Sequence, residues 1–122
     1  MLVDLPIAVV DDDAAACAAL TDLVSAMGFA AIGFSSAQAF LRSDHVRRVC
    51  CVITDLRMPT MDGFELCRYL TAAGNPVPTI LVTAYPNEST RHQAQSLGIG
   101  AYLGKPCDPD ELLQALQSVL AS

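Results

Sequence analysis

The chain predicts an α/β fold in which a five-stranded parallel sheet lies between two layers of helices, and three observations carry that prediction. Apolar runs of four to six residues alternate with longer segments of helical period, the pattern of repeated strand-helix-strand units. Four of the runs close on residues with chemistry to offer. Ile7-Ala8-Val9-Val10 stops at Asp11-Asp12-Asp13, Val49 to Thr54 at Asp55, Ile80-Leu81-Val82 at Thr83, and Tyr102-Leu103-Gly104 at Lys105-Pro106. Finally, 122 residues accommodate five such pairs within one domain, since domains commonly hold roughly 100–150 residues; a single domain is expected over residues 1–122.

The first strand is expected at about Ile7 to Val10. The helix after it, near Ala14 to Met27, has the apolar stripe Ala16, Leu20, Leu23, Val24, Met27 and a stop at Gly28. A second strand near Ala31 to Phe34 leads to Ser35-Ser36, whose hydroxyls can cap a short helix carrying Ala39, Phe40 and Leu41. The third strand runs from Val49 to Thr54. Met58-Pro59-Thr60-Met61-Asp62-Gly63 is turn chemistry, Phe64, Leu66, Cys67 and Leu70 mark the third helix, and Gly74-Asn75-Pro76 ends it. Val77 to Val82 is the fourth strand and Ala101 to Leu103 the fifth. Between them, Asn87 to Leu97 is a weak helix in which only Ala94 and Leu97 are clearly apolar, so burial holds it loosely and it is the candidate moving element. The last helix opens on Asp108-Pro109-Asp110-Glu111, with proline at its first position and acids in its first turn, and buries Leu112, Leu113, Leu116, Val119 and Leu120. Right-handed crossovers then favour the flavodoxin-like strand order 2-1-3-4-5. In that order the first and third strands are neighbours, and the crevice between their ends receives Asp11, Asp12 and Asp55.

Composition narrows the function. Hydrophobic residues make up 52% of the chain and charged ones 16%, yet no apolar stretch approaches the ~18–20 residues that span a bilayer; the surplus is core, and no membrane contact is expected. A net charge of −6 with seven scattered Lys and Arg argues against direct nucleic-acid binding, which normally shows as a basic patch. No basic segment precedes an apolar one at the N-terminus, so nothing signals export and a cytoplasmic location is expected. The five cysteines Cys17, Cys50, Cys51, Cys67 and Cys107 form no C-x-x-C pair and are read as packing residues, with zinc or redox chemistry as the alternative. His45 and His92 have no nucleophile pattern around them and are read as surface residues.

Three carboxylates in one crevice repel at about 4 kcal/mol per pair at ~4 Å and an effective dielectric near 20, so cations must sit among them. Lys105 supplies one charge. Oxygen-only ligands suit Mg²⁺ better than Zn²⁺. A magnesium ion beside an exposed carboxylate, a hydroxyl and a lysine suits phosphoryl transfer, with the carboxylate as nucleophile. On this reading Asp55 carries the phosphoryl group, Asp11 and Asp12 hold the metal, and Thr83 and Lys105 each take a phosphoryl oxygen. Ala84 leaves room for entry. Read blandly, Asp11 and Asp12 cap the first helix, Asp55 is a turn residue, Thr83 an ordinary strand threonine and Lys105 a solvated charge. Asp13 is read as that cap. Tyr85 either shades the phosphoryl group or is a bystander.

These pieces together, Val9-Val10-Asp11-Asp12-Asp13, Asp55-Leu56-Arg57-Met58-Pro59 with Asp62-Gly63, Val82-Thr83-Ala84, and Lys105-Pro106, resemble the receiver domain of two-component response regulators over essentially the whole chain. The resemblance implies a phospho-acceptor switch rather than a conventional enzyme, one that catalyses its own phosphorylation and dephosphorylation. It implies Asp55 as acceptor, with Mg²⁺ on Asp11, Asp12, Asp55 and the backbone carbonyl of Arg57. Thr83 and Lys105 would sense the phosphate, Tyr102 would change rotamer, and the Lys105-Pro106 peptide would be cis. The implied partners are a sensor histidine kinase or phosphotransfer protein, an output domain or protein met through the fourth helix, fifth strand and fifth helix, and a second copy in a phosphorylation-dependent homodimer. Thr54-Asp55-Leu56-Arg57-Met58-Pro59 also resembles receivers attached to helix-turn-helix output domains. Cys107, where the family usually has Phe or another large apolar residue, and Gly104, where a polar residue is common, depart from the pattern and put output affinity in doubt more than phosphorylation. Two other functions compete: a magnesium-dependent phosphatase acting on external substrates, disfavoured because Arg57 stands where a second acid would, and a receiver-shaped scaffold that needs no phosphorylation.

Overall fold

The computed structural model describes residues 5–121; of the domain expected over 1–122, residues 1–4 and 122 lie outside the described residues. Five strands, β1 (Ile7–Val10), β2 (Ala31–Phe34), β3 (Cys51–Asp55), β4 (Thr79–Thr83) and β5 (Ala101–Gly104), alternate with five helices, α1 (Ala14–Ala26), α2 (Ala37–Leu41), α3 (Gly63–Ala72), α4 (Glu88–Ser96) and α5 (Pro109–Ala121). The strands form one sheet in the order β2-β1-β3-β4-β5, and every neighbouring pair is parallel. This is the flavodoxin-like α/β/α arrangement that the apolar runs predict.

Alternation along each strand divides the core. Ile7, Cys51, Ile53, Ile80 and Val82 face α1 and α5, meeting Val24, Leu112 and Leu116. Ala8, Val10 and Val52 face the other way, onto Phe40 of α2 and Leu66 and Leu70 of α3. Leu81 carries that second layer on to Phe64 of α3 and Ala94 of α4. Period-two alternation is what lets a continuous apolar strand serve two layers at once. The outer strands β2 and β5 are only half-buried, as a sheet's edges must be.

Two strand starts differ from the sequence reading, and proline explains both. The third strand begins at Cys51 rather than Val49, and the fourth at Thr79 rather than Val77. Pro6 and Pro78 lie at the sheet's entry edge, where each lends its carbonyl, to Cys50 N–H at 3.0 Å and Val52 N–H at 2.9 Å. Having no N–H, neither can donate to continue the ladder.

Local chemistry sets the helix ends. Asp13 is the N-cap of α1, its carboxylate accepting from the N–H groups of Ala15 at 3.0 Å and Ala16 at 3.2 Å, and Gly28 with φ +97° follows the last turn. Asp13→Ala is expected to lower stability by about 1 kcal/mol, read as a lower urea midpoint with an unchanged slope. Asp62, read from sequence as a turn residue and as part of the Asp62-Gly63 motif piece, forms a reciprocal capping box with Glu65. In α5, Leu112, Leu116 and Val119 are buried while Leu113 and Leu120 are half-buried. Among the residues of α4, only Ala94 is buried.

His45 departs from its expected place: α2 is only five residues long, and the chain folds back to set the His45 ring edge-on to Phe34, 6.3 Å between centroids. His92 is exposed. The five cysteines are unbonded to one another. Burial, with Cys50 alongside, pushes the Cys51 thiol up to about 12, and burial also raises Cys67 and Cys107. Neutral thiols of this kind pack as small hydrophobes. Among the described residues no helix is long and apolar enough to cross a membrane.

Candidate functional site at the carboxyl edge of the sheet

Parallel pairing brings the ends of β1, β3, β4 and β5 to one edge. Val10 is level with Thr54, Asp55 with Val82, and Thr83 with Gly104, so the residues at or just beyond these ends converge. Asp11, Asp12 and Asp55 each bring a carboxylate oxygen into a group whose members all lie within 4.8 Å of one another. Asp11 is buried, Asp55 half-buried and Asp12 exposed, which grades the cluster from core to solvent.

Lys105 bridges two of these acids. Its Nζ donates to Asp11 Oδ2 at 2.7 Å and stands 3.2 Å from Asp55 Oδ2. The other oxygen of Asp11 accepts from the Asp13 N–H at 3.0 Å, so the cap of α1 also orients the buried acid. The Lys105-Pro106 peptide is cis, and the Lys105 N–H donates to the Thr83 carbonyl at 2.9 Å. Burial works to lower the Lys105 ammonium, but its hydrogen bond and charge contact with Asp11, and then Asp55, outweigh burial and hold it above the ordinary lysine value.

Asp55 is in the opposite situation. Burial raises its carboxyl, Lys105 offsets part of that, the charge of Asp11 raises it further, and the Arg57 backbone N–H lowers it; the balance lies above the ordinary carboxylate value. A group raised on folding contributes stability that is present below its unfolded value, near 3.9, and lost as pH rises through its folded value. At neutral pH the charged Asp55 therefore burdens the fold. Asp55→Asn is expected to raise the unfolding midpoint at pH 7 in metal-free buffer, measured by calorimetry, with the gain vanishing at the acid end where the wild-type group is already protonated.

Thr83 is fully buried, and its hydroxyl accepts from the Tyr85 N–H at 3.2 Å. The Tyr85 side chain is 71% exposed, and Ala84 between them is exposed. The Arg57 side chain also points to solvent; this residue meets the site through its backbone. Tyr102 stands apart from the acids. Its ring packs on the cluster of Leu56, Phe64, Leu81 and Ala94, and its hydroxyl accepts from the Asn87 N–H at 3.1 Å and hydrogen-bonds the Thr90 hydroxyl. The Arg91 guanidinium lies 4.9 Å from its ring centroid, a cation–π contact.

The sequence reading took Gly63 as a turn and motif residue and missed that it packs against the backbone of the acid. A Cβ built there would lie 2.7 Å from the Asp55 carbonyl oxygen, 2.6 Å from Leu81 Cδ1 and 3.2 Å from Leu56 Cα. It also overlooked Thr90 and Arg91 as neighbours of Tyr102. Asp62-Gly63 at the mouth of a helix gave a signal for the first; nothing local signals the second, because the contact joins α4 to β5.

The chemistry of the donor set fits a hard divalent cation. The cluster is all carboxylate, with Asp12 open to solvent, and Mg²⁺ takes few carboxylates while keeping several waters. An acidic crevice with a bridging lysine, at the switch point of a 2-1-3-4-5 parallel sheet, defines a receiver, and the chain belongs to the response regulator receiver domain family, whose model matches residues 7–117. It is 35% identical over 112 residues to the transcriptional regulatory protein FixJ of Bradyrhizobium diazoefficiens, covering 92% of this chain and 55% of that protein. To the response regulator protein TodT of Pseudomonas putida it is 36% identical over 113 residues, covering 92% of this chain and 49% of that one. The chain thus spans about half the length of these curated relatives. The crystal structure of FixJ-N superposes with a TM-score of 0.88 at 28% identity, covering 98% of this chain and 96% of that one. A response regulator receiver protein from Burkholderia phymatum gives 0.81 at 35%, covering 96% and 95%. The protein is a receiver domain of two-component signalling, of a family that binds Mg²⁺ in its acidic pocket.

Proposed function

We propose that Asp55 accepts a phosphoryl group from a phosphohistidine of a sensor kinase or phosphotransfer protein, and that the modified domain acts as a switch. The observation that carries this is the Lys105 ammonium held between Asp11 and Asp55 at the sheet edge where three carboxylates converge. A carboxylate oxygen of Asp55 attacks phosphorus, the donor's P–N bond breaks, and the imidazole leaves with the electron pair. Attack by water later releases phosphate and restores the carboxylate. Asp11, Asp12, Asp55 and the Arg57 carbonyl are the groups that would hold Mg²⁺, which when bound neutralises charge on the transferring group. Lys105 neutralises a further oxygen, and its two carboxylate contacts fix where that charge sits. Thr83 is placed at the end of β4, where its hydroxyl can turn to a phosphoryl oxygen.

The test is intact mass after incubation with acetyl phosphate, where an acyl P–O bond breaks instead of P–N. One added phosphoryl group that requires Mg²⁺ is expected; no gain in mass while Mg²⁺ binding is demonstrable would turn the reading toward a scaffold.

Phosphorylation is read out on the face of α4, β5 and α5, which meets an output domain, a partner protein or a second copy in the cytoplasm. The modification shifts two conformations by its differential free energy, and Thr83 followed by Tyr102 links the phosphoryl group to α4. Thr83→Ala is therefore expected to be phosphorylated still, while the change in amide exchange over α4 and β5 that accompanies phosphorylation of the wild type disappears. The same change in both proteins would remove Thr83 from the link.

A further inference from the structure

We propose that Thr54 is a positioning residue for the phosphoryl acceptor, acting through the backbone carbonyl of Asp55; the inference rests on the reading of Asp55 as acceptor and adds a residue to it. Asp55 is the last residue of β3, and β1 ends one register position earlier, at Val10 opposite Thr54. The peptide after Asp55 is held on its N–H side, where Leu56 N–H donates to the Val82 carbonyl at 3.0 Å. On its carbonyl side β1 has ended, and the Thr54 hydroxyl donates to the Asp55 oxygen at 2.9 Å. Thr54 is fully buried in a strand whose other buried members, Cys51, Val52 and Ile53, are apolar, so its hydroxyl stands in the core for a reason other than solvation. Gly63 closes the remaining side of the same carbonyl, leaving no room for a side chain.

The peptide plane between Asp55 and Leu56 is therefore fixed from both ends. That plane sets the direction from which the Asp55 side chain leaves the backbone, and it begins the turn that brings the Arg57 N–H back to the Asp55 carboxylate. An acceptor aimed this way meets phosphorus in line without a search over backbone orientations, and small misplacements at such a centre cost rate steeply. On this proposal the same brace, by fixing where the turn begins, also sets the path to the Arg57 carbonyl, the proposed metal ligand two residues on.

Thr54→Val keeps the branched shape and the burial and removes only the hydroxyl. Compared with wild type, Thr54→Val is expected to accept phosphoryl from acetyl phosphate about tenfold more slowly at saturating Mg²⁺, to bind Mg²⁺ about two- to threefold more weakly, and to exchange the Leu56 amide faster, while Thr54→Ser restores all three. Wild-type transfer rate and Leu56 exchange in Thr54→Val, whatever its melting temperature, would overturn the proposal and leave Thr54 a packing residue. Failure of the wild type itself to gain phosphate would strike the acceptor reading instead; Leu56 exchange and Mg²⁺ affinity would then still decide whether Thr54 braces the turn.

Discussion

Asp55→Ala is expected to gain no phosphoryl group under conditions in which the wild type is fully modified, a loss of at least ~10³-fold in rate, since no nucleophile is left at the reacting position. The expectation is specific to this carboxylate. Asp11 is buried and already committed, one oxygen to Lys105 and the other to the Asp13 N–H, so it cannot take the group in place of Asp55. Asp12 shares the cluster but is open to solvent, and among the described residues the Lys105 ammonium pairs with Asp11 and Asp55 and not with Asp12, so Asp12 lacks the cation that stands beside Asp55. The environment of Asp55 raises its carboxyl and so disfavours its charge, so the variant is expected to stay folded, and its thermal melt separates loss of the nucleophile from loss of the fold. Intact mass with a parallel thermal melt checks both halves. A phosphorylated Asp55→Ala chain would move the acceptor elsewhere.

Gly63→Ala is expected to destabilise the fold by about 2–3 kcal/mol, a fall of roughly 10 °C in the unfolding midpoint. The added methyl would meet the Asp55 carbonyl and the Leu56 backbone. Leu81 can turn its Cδ1 aside, but the backbone at the end of β3 is tied on one side by Leu56 N–H to Val82 and by the Gly63 N–H to the Leu56 carbonyl at 2.9 Å. The collision is relieved only by pushing α3 off the sheet or by tilting the peptide that carries the acceptor. Phosphoryl transfer is thus expected to slow together with the loss of stability, by about tenfold or more. Thermal unfolding and the acetyl phosphate rate measured on one preparation check this; an Ala variant equal to wild type in both would mean that α3 seats further from β3 than the structure has it.

Much of the fold was legible because it rests on local periodicity. Three buried strands, β1, β3 and β4, carry continuous apolar runs, and Gly28, Asp13 and Pro109 punctuate the helices by conformational rules that act within a few residues. The two misplaced strand starts came from the same source: Val49-Cys50 and Val77-Pro78 are apolar, but pairing depends on which backbone groups a neighbour can offer, and Pro6 and Pro78 offer none to donate. His45 was misread for a similar reason, since nothing near it in sequence announces that Phe34 will come alongside.

By itself the sequence determined that this chain alternates strands and helices and that acids, a hydroxyl and a lysine stand at strand ends, because apolar pattern and residue chemistry are properties of short segments. Only the tertiary structure decided how those ends engage: Lys105 on Asp11 and Asp55, the Tyr102 hydroxyl on α4, Gly63 and Thr54 against the Asp55 carbonyl. The physical reason is distance along the chain. Lys105 and Asp11 lie 94 residues apart, so their contact is set by the order and register of the sheet, which backbone pairing and packing across many segments establish together.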